Sequence, residues 1–343
     1  MTNTKIKTRD LTIDVLRALS IVVMMVMHVN AYYLNDKLSL FVWSYGQWVV
    51  PAFLLCSFAV GKYEVTSVSE YMSYLKKRLN RILVPYYIWL IFYLLIIYLF
   101  KHNISLDYII KNIFLLGGSD FNWLVLLFVY LTVFGPFIYI AANKNFKWLL
   151  IIVLSGLAIS LSTFFNQKSM NVNYRIFMLP AWISITTLLL YCLRLYKERQ
   201  YIHVLTITFS SLLIFLLFYF FAIARMNYRL DLYFHKYPPN IYFYVFCIWS
   251  TMLFYFVSEK IAQFVQRSSV YVEKILEYIS AKSYEIFFAH IVVLYIIDNL
   301  DPRRHLTYQQ FLLIMFVSTF VCVYVLGLFK HSFAAVFMRM RKT

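Results

Sequence analysis

The stretch LTIDVLRALSIVVMMVMHVNAYY at residues 11–33 decides the fold of this chain. It is dominated by aliphatic residues and methionine. As a helix it would be about 34 Å long at 1.5 Å per residue, enough to cross the ~30 Å hydrocarbon core of a bilayer. Basic residues precede the run and no small-residue cleavage site follows it, so we interpret it as a retained membrane span rather than a signal peptide.

The rest of the chain repeats this pattern. Of its 343 residues, 62% are hydrophobic and only 14% are charged, whereas soluble domains average ~45–50% and ~25%. The sequence therefore predicts an all-α polytopic membrane protein with about ten transmembrane helices, in a single integral-membrane domain over residues 1–343 with no appended soluble domain. The predicted spans are 11–33, 40–60, 82–100, 122–142, 147–166, 176–193, 202–224, 240–258, 283–299 and 311–336.

The net charge of +17 is explained by orientation in the membrane. If the N-terminus is cytoplasmic, 21 of the 32 Lys and Arg residues fall in cytoplasmic segments and 10 in external ones, with Arg17 inside the first span. Because cytoplasmic loops collect Lys and Arg, this excess predicts cytoplasmic N- and C-termini in a multi-pass protein of the cell membrane. We therefore expect membrane lipid around the protein and no nucleic-acid partner, since the basic excess is explained by orientation. The sequence does not determine the oligomeric state.

Two stretches have the pattern of amphipathic surface helices rather than spans. Residues 67–81 place apolar side chains on one face, and we predict a basic interfacial helix there that leads into the third span at Pro85. Its basic residues are Lys76, Lys77, Arg78 and Arg81. Residues 259–279 predict a second amphipathic helix on the cytoplasmic side.

Three ionisable residues interrupt the first span: Asp14, Arg17 and His28. At 100° per residue all three lie on one helical face, spread along ~20 Å. Charged groups inside a membrane cost a few kcal/mol, so this face should look into the helix bundle or a wet cavity. Two plain alternatives stay open: Arg17 reaching the headgroups with Asp14 as its ion-pair partner, and His28 as a packed histidine satisfied by a neighbouring helix.

The chain resembles a known family, the membrane acyltransferase-3 family. The resemblance covers nearly the whole chain and is strongest where Arg17 and His28 are separated by ten residues. The segments that carry it are IDVLRALSIVVMMVMH at 13–28, VVPAFLLCSF at 49–58, YLKKRLNRILVPYY at 74–87, FNWLVLLFVYLTVFGPFI at 121–138 and SAKSYEIFFAH at 280–290.

The resemblance implies transfer of an acyl group, usually acetyl, from cytoplasmic acyl-CoA to a hydroxyl of a cell-surface polysaccharide or a lipid-linked glycan precursor. His28 would act as the base, Arg17 would hold donor phosphate or stabilise oxyanion charge, and Asp14 would orient Arg17. Coenzyme A is strongly anionic, and a basic cluster at the membrane surface suits its phosphates. The donor-binding residues would be Lys77, Arg78 and Arg81, although a cluster of this kind also attracts anionic lipid. Acyl-CoA is a substrate, and we expect no bound cofactor.

This sequence departs from the family pattern at several points, one of which is Glu285 in place of a commonly small residue. Cys56-Ser57-Phe58 stands where the family usually has Ser-Gly-Phe, so the small glycine is replaced and close helix packing there is in doubt. The family's fourth span often begins His-Leu-Trp, whereas Asn122 directly precedes Trp123 here, so that acid–base group is missing. The further residues expected around the pocket are His290, Tyr284, Glu285, Asn122 and Trp123.

Absent motifs and external charges bear on which other functions are compatible with the sequence. The sequence contains no His-Glu-x-x-His motif and no Asp-x-Asp pair, and we expect no metal. External cations, among them Arg229, His235 and Lys236, could meet an anionic polysaccharide, although loop charge without a role explains them as well. The rival to an enzyme is a non-catalytic transporter or exporter of polysaccharide or a small solute that uses the same polar face.

Overall fold

The computed structural model describes residues 9–61, 63–119, 121–165, 174–223, 225, 229–301 and 305–340, with side chains up to residue 327. It is 85% helical, and the described part contains no β-strand. The α-helices are α1 Leu11–Asn30, α2 Lys37–Tyr45, α3 Val49–Ala59, α4 Val68–Lys101, α5 Leu106–Ile113, α6 Asn122–Val133, α7 Gly135–Asn143, α8 Phe146–Phe165, α9 Tyr174–Lys197, α10 Tyr201–Leu217, α11 Ile241–Ser268, α12 Val270–Leu300 and α13 Tyr308–Met340.

The helices account for the predicted spans. Within the described residues, nine helical segments are long and apolar enough to cross a membrane, and the bent pair α6–α7 makes a tenth if it counts as one span. Helices α2 and α3 form one of these segments through the short 3₁₀ turn Gly46–Trp48. The prediction of an all-α polytopic protein with about ten transmembrane helices is confirmed.

The fourth span is broken where α6 and α7 meet at an angle of 63°. Pro136 has no amide hydrogen, and in a straight helix its ring would clash with the carbonyl of Thr132. Two tyrosines of α4 satisfy the carbonyls at the break: Tyr74 donates to Thr132 (3.0 Å) and Tyr71 donates to Val133 (2.9 Å). A break inside a membrane is tolerated when neighbouring side chains satisfy the freed backbone groups in this way.

Helix α4 contains both the basic helix predicted at 67–81 and the third predicted span. It runs without interruption through the basic segment and through Pro85 for 34 residues, which is about 51 Å and longer than the ~30 Å bilayer core. Ser67 caps its first turn by accepting a hydrogen bond from the amide of Glu70 (3.2 Å). The basic helix predicted at 67–81 is therefore present, and it runs into the third span as predicted.

The second predicted amphipathic helix, at 259–279, is wrong as a single element. The chain breaks at Ser269, which has extended backbone angles and caps α12 by accepting a hydrogen bond from the amide of Val272 (3.4 Å). Helices α11 and α12, of 28 and 31 residues, exceed the length of a bilayer crossing, and their ends supply the amphipathic sequence. An unbroken hydrophobic pattern concealed the break because Ser269 is compatible with both a helix interior and a cap.

Helix α1 lies inside the bundle and packs against α3, α11 and α12. Most of α1 and α11 is buried, whereas α10 is mostly exposed and presents large apolar side chains outward. The polar face of α1 thus looks into protein, as expected for ionisable groups at membrane depth.

Candidate active site

Helices α1 and α12 run side by side in the same direction, and their polar residues meet at two levels. Ser280 of α12 lies beside the first turns of α1, and His290 lies beside the last turn. The levels are about 15 Å apart along α12, at 1.5 Å per residue. All three ionisable residues of the first span therefore face α12 or its neighbours, as their shared helical face predicts.

The first level is a polar cluster built on Asp14, whose side chain is buried. Its carboxylate accepts hydrogen bonds from Arg9 (Nη2 to Oδ1, 3.1 Å, together with a closer contact from Nε) and from the Ser280 hydroxyl (2.5 Å). Arg17 has no carboxylate within 4.0 Å among the described residues, so the predicted ion pair between Asp14 and Arg17 is not formed. The pairing goes to Arg9 because it approaches Asp14 from the open end of the helix.

Arg17 is held between three helices at the same level. Its guanidinium donates to the backbone carbonyl of Cys56 on α3 (3.1 Å) and to the Ser280 hydroxyl on α12 (3.5 Å). Ser280 thus accepts from Arg17 while it donates to Asp14, so the carboxylate influences the arginine only through the hydroxyl. Cys56 itself is fully buried, and its thiol lies 3.6 Å from the carbonyl of Ile13 on α1.

The second level is a pair of histidines. Nδ1 of His28 lies 2.8 Å from Nε2 of His290, with the two rings nearly parallel at 11°. Nδ1 of His290 lies 3.2 Å from the carbonyl of Ile286. A carbonyl only accepts, so His290 carries its proton on Nδ1 and accepts at Nε2. His28 must then donate from Nδ1, which leaves the lone pair of the neutral ring on its Nε2.

Nε2 of His28 has no hydrogen-bond partner within the described part of the chain, and the ring lines a cavity of about 550 Å³. This cavity lies at the end of the bundle opposite to Asp14. Its walls come from α1, α2, α3, α4, α6, α9, α12 and the segment that precedes α11, and they are largely aromatic: Tyr32, Trp43, Tyr93, Phe121, Trp123, Tyr174, Tyr233, Tyr237, Phe287 and Tyr295. The volume lies in the usual range of small-ligand sites. A histidine base oriented by a second group at the wall of such a cavity is a typical arrangement for proton transfer.

A protein-family model described as an acyltransferase domain matches residues 10–328, a region that contains Asp14, Arg17, both histidines and the cavity. The chain belongs to the membrane acyltransferase-3 family. Comparisons with curated proteins and with solved structures gave no match. The resemblance found in the sequence is thereby confirmed, and the protein is a multi-pass membrane acyltransferase.

The pocket residues predicted from the acyltransferase motifs separate into two groups. Trp123 lines the cavity and His290 holds His28. The other three point elsewhere. Tyr284 donates to the carbonyl of Ile82 (2.9 Å), and Glu285 pairs with Lys282 (3.0 Å). Asn122 accepts from Arg175 (2.8 Å) and donates to the carbonyl of Gly117, so it fastens the turn before α6.

The three residues predicted to bind the donor, Lys77, Arg78 and Arg81, differ in their burial and contacts. Arg78 is half-buried, stacks on Tyr63 with its guanidinium carbon 4.5 Å from the ring centre, and donates to the Ser57 hydroxyl (3.4 Å). Gly61 lies so close that a side chain there would overlap both the arginine and the tyrosine. Lys77 and Arg81 are exposed. The fold therefore places Arg78 in a defined pocket and leaves the other two basic residues at the surface.

Sequence reasoning missed Ser280 and Gln47, and it did not separate Lys236 from the other external cations. Ser280 links Asp14 and Arg17, and it opens the motif SAKSYEIFFAH, which was the available signal. Gln47 and Lys236 line the cavity but lie about 190 residues apart, so no local pattern joins them. Among the described residues, no group of three His, Cys, Asp or Glu side chains could hold a metal ion.

Proposed function

We propose that this acyltransferase moves an acyl group, acetyl in the first instance, from cytoplasmic acyl-CoA to a hydroxyl of a cell-surface polysaccharide or a lipid-linked glycan precursor. The observation that carries the proposal is the arrangement of His28, whose Nδ1 donates to His290 and whose Nε2 is left as a free base on the wall of an aromatic cavity. A neutral imidazole in this state can remove the proton of a hydroxyl.

In the proposed reaction the acceptor hydroxyl gives its proton to Nε2 of His28 while its oxygen attacks the thioester carbonyl. The new carbon–oxygen bond forms a tetrahedral intermediate. When the intermediate collapses, the carbon–sulphur bond breaks and the imidazolium returns the proton to the departing thiolate of coenzyme A. His290 takes no proton in this scheme. It stabilises the imidazolium by accepting from Nδ1, as the third member of a catalytic triad does.

The position of Arg17 favours a role at the donor phosphates over a role at the oxyanion. It lies eleven positions before His28, a rise of about 16 Å along α1, which is too far for contact with an oxyanion formed beside the imidazole. The arm of coenzyme A between its phosphate and its sulphur has 13 bonds, or roughly 15 Å when extended as a peptide chain is. A donor with its phosphates near Arg17 would therefore carry its thioester to the level of His28.

Arg78 is the second group proposed for the donor. Its guanidinium is oriented by Tyr63 and Ser57 and belongs to the basic start of α4. With the N-terminus in the cytoplasm, as the distribution of Lys and Arg favours, Arg78 faces the compartment in which acyl-CoA is made. The cavity beside His28 then opens toward the outer side of the cell membrane, where a glycan acceptor would arrive.

The test is acyl transfer by the purified full chain in proteoliposomes with labelled acetyl-CoA. His28→Ala should lower turnover by about 10²–10⁴-fold, the usual contribution of a general base, with folding unchanged by thermal melting. His203→Ala, at the exposed start of α10, is the matched control and should keep wild-type turnover. Transport of a solute without any use of acetyl-CoA would contradict the proposed enzyme and favour the alternative of a transporter.

A further inference from the structure

Lys236 is a buried cation on the wall of the cavity. Only 5% of its surface is exposed. Its Nζ donates to Oε1 of Gln47 (3.0 Å) and lies 4.5 Å from the centre of the Trp123 ring. Gln47 is fixed in turn, because its Nε2 donates to the carbonyl of Trp43 (2.9 Å). The ammonium is therefore held in one place at the cavity wall.

The charge of Lys236 has no counter-ion in the described part of the chain. No carboxylate there lies within 4.0 Å of it, and the acidic residue that lines the same cavity, Asp298, is exposed. An ammonium has three donors, of which Gln47 uses one. Burial lowers the pKa of Lys236 to about 7. A buried cation with spare donors is costly unless it is paired, and an anionic ligand in the cavity would provide the pair.

The nature of that anion follows from its surroundings. A single ammonium with two spare donors matches the single charge and the two oxygens of a carboxylate, whereas a phosphate dianion would leave negative charge uncompensated in a buried site. The aromatic walls offer flat apolar surfaces on which a sugar ring can lie. Lys236 precedes α11, at the end of the bundle opposite to Arg17 and Arg78, so it is placed for the acceptor rather than for the donor.

We propose that Lys236, oriented by Gln47, binds the carboxylate of an acidic sugar, so that the enzyme selects uronic-acid-type acceptors and presents one of their hydroxyls to His28. This inference rests on the proposed function. It adds a charge requirement for the acceptor and assigns that requirement to one side chain.

The test is equilibrium binding of two probes to the full chain in nanodiscs at pH 6.5. Methyl glucuronide and methyl glucoside differ only in a carboxylate against a hydroxymethyl group. Wild-type protein should bind the glucuronide at least about tenfold more tightly, the effect of one charge-assisted hydrogen bond. Lys236→Met should abolish this difference while keeping the affinity for the glucoside, and Lys236→Arg should retain part of it. Lys260→Met, at an exposed position of α11, is the control and should bind as the wild type does.

Equal binding of the two sugars by the wild type, a preference that persists in Lys236→Met, or binding of neither sugar would overturn the proposal. A second arm compares acetyl-CoA with succinyl-CoA as donor. If Lys236→Met impairs only the use of succinyl-CoA, the carboxylate belongs to the acyl group and the acceptor assignment is wrong. Use of acetyl-CoA in the same preparation tests the reaction separately. A preference for the carboxylate without acetyl-CoA turnover would refute the proposed acyl transfer and support the binding site at Lys236.

Discussion

His290 gives the sharpest test of the proposed chemistry because it has no contact with substrate in our scheme. Replacing it by leucine removes the acceptor for Nδ1 of His28 and puts an apolar side chain of similar size in a fully buried position. His28 is then free to rotate and to adopt the other neutral tautomer, in which Nε2 carries the proton and cannot act as a base. Glutamine at the same position can still accept the hydrogen bond through its amide oxygen.

The expected loss of kcat follows from the 2.8 Å hydrogen bond between the two histidine rings. Leaving its buried donor unsatisfied costs ~1–3 kcal/mol, and each 1.36 kcal/mol is tenfold in rate. His290→Leu should therefore lower kcat by roughly 5- to 150-fold, and His290→Gln should lower it less. Since His290 acts only through His28, the double variant with His28→Ala should be no slower than His28→Ala alone.

The assay is acetyl transfer in proteoliposomes, with kcat and the KM for acetyl-CoA measured separately. A positioning residue should change kcat and leave KM within about twofold, whereas a folding defect would lower the amount of active protein and the melting temperature. Wild-type kcat in His290→Leu, or a double variant in which the two losses multiply, would refute the relay from His290 to His28.

Three further predictions concern the remaining buried or half-buried charges. Arg78→Ala should raise the KM for acetyl-CoA about tenfold while Arg81→Ala changes it less than twofold, because only Arg78 is held in a pocket; equal effects of the two would contradict this. Asp14→Asn should lower the free energy of unfolding by ~1–3 kcal/mol in detergent, since Arg9 loses a charged partner at a buried site, and an unchanged melting temperature would contradict it. For Lys236, burial lowers the pKa from 10.5 to about 7, so the unfolded chain binds the proton more tightly and stability rises with pH between these values. Relative to Lys236→Met, the wild type should gain up to roughly 5 kcal/mol from pH 7 to pH 10.5, and parallel pH profiles of unfolding would refute this. Ionisable groups that act on Lys236 or share its cavity include His28, Cys247 and Asp298, and the Met variant keeps all three.

Much of the fold could be predicted because membrane depth imposes long apolar runs, and the spans follow from them. The basic helix at 67–81 and its continuation into the third span followed from the sequence in the same way. The error came at residues 259–279, which have an amphipathic pattern of the kind that surface helices share with span ends outside the bilayer. Only the packed structure shows that α11 and α12 divide at Ser269.

The candidate site could be predicted only in part. Helical geometry alone places Asp14, Arg17 and His28 on one face, and the structure turns that face toward α12. The partner that each of these side chains contacts could not be predicted from their spacing in the sequence. Asp14 pairs with Arg9 rather than with Arg17, and Asn122 fastens a turn instead of lining the pocket, because these outcomes depend on how separate helices approach each other.

The sequence by itself determined that this chain crosses the membrane about ten times, since hydrophobic length is a local property, and its motifs pointed to the acyltransferase family. Tertiary structure alone decided the chemistry of the site. It brought His290 within 2.8 Å of His28 across 262 positions of chain and Lys236 within 3.0 Å of Gln47 across 189. Such contacts arise from packing between segments remote in sequence, and the tautomer of His28 and the charge of the cavity depend on them.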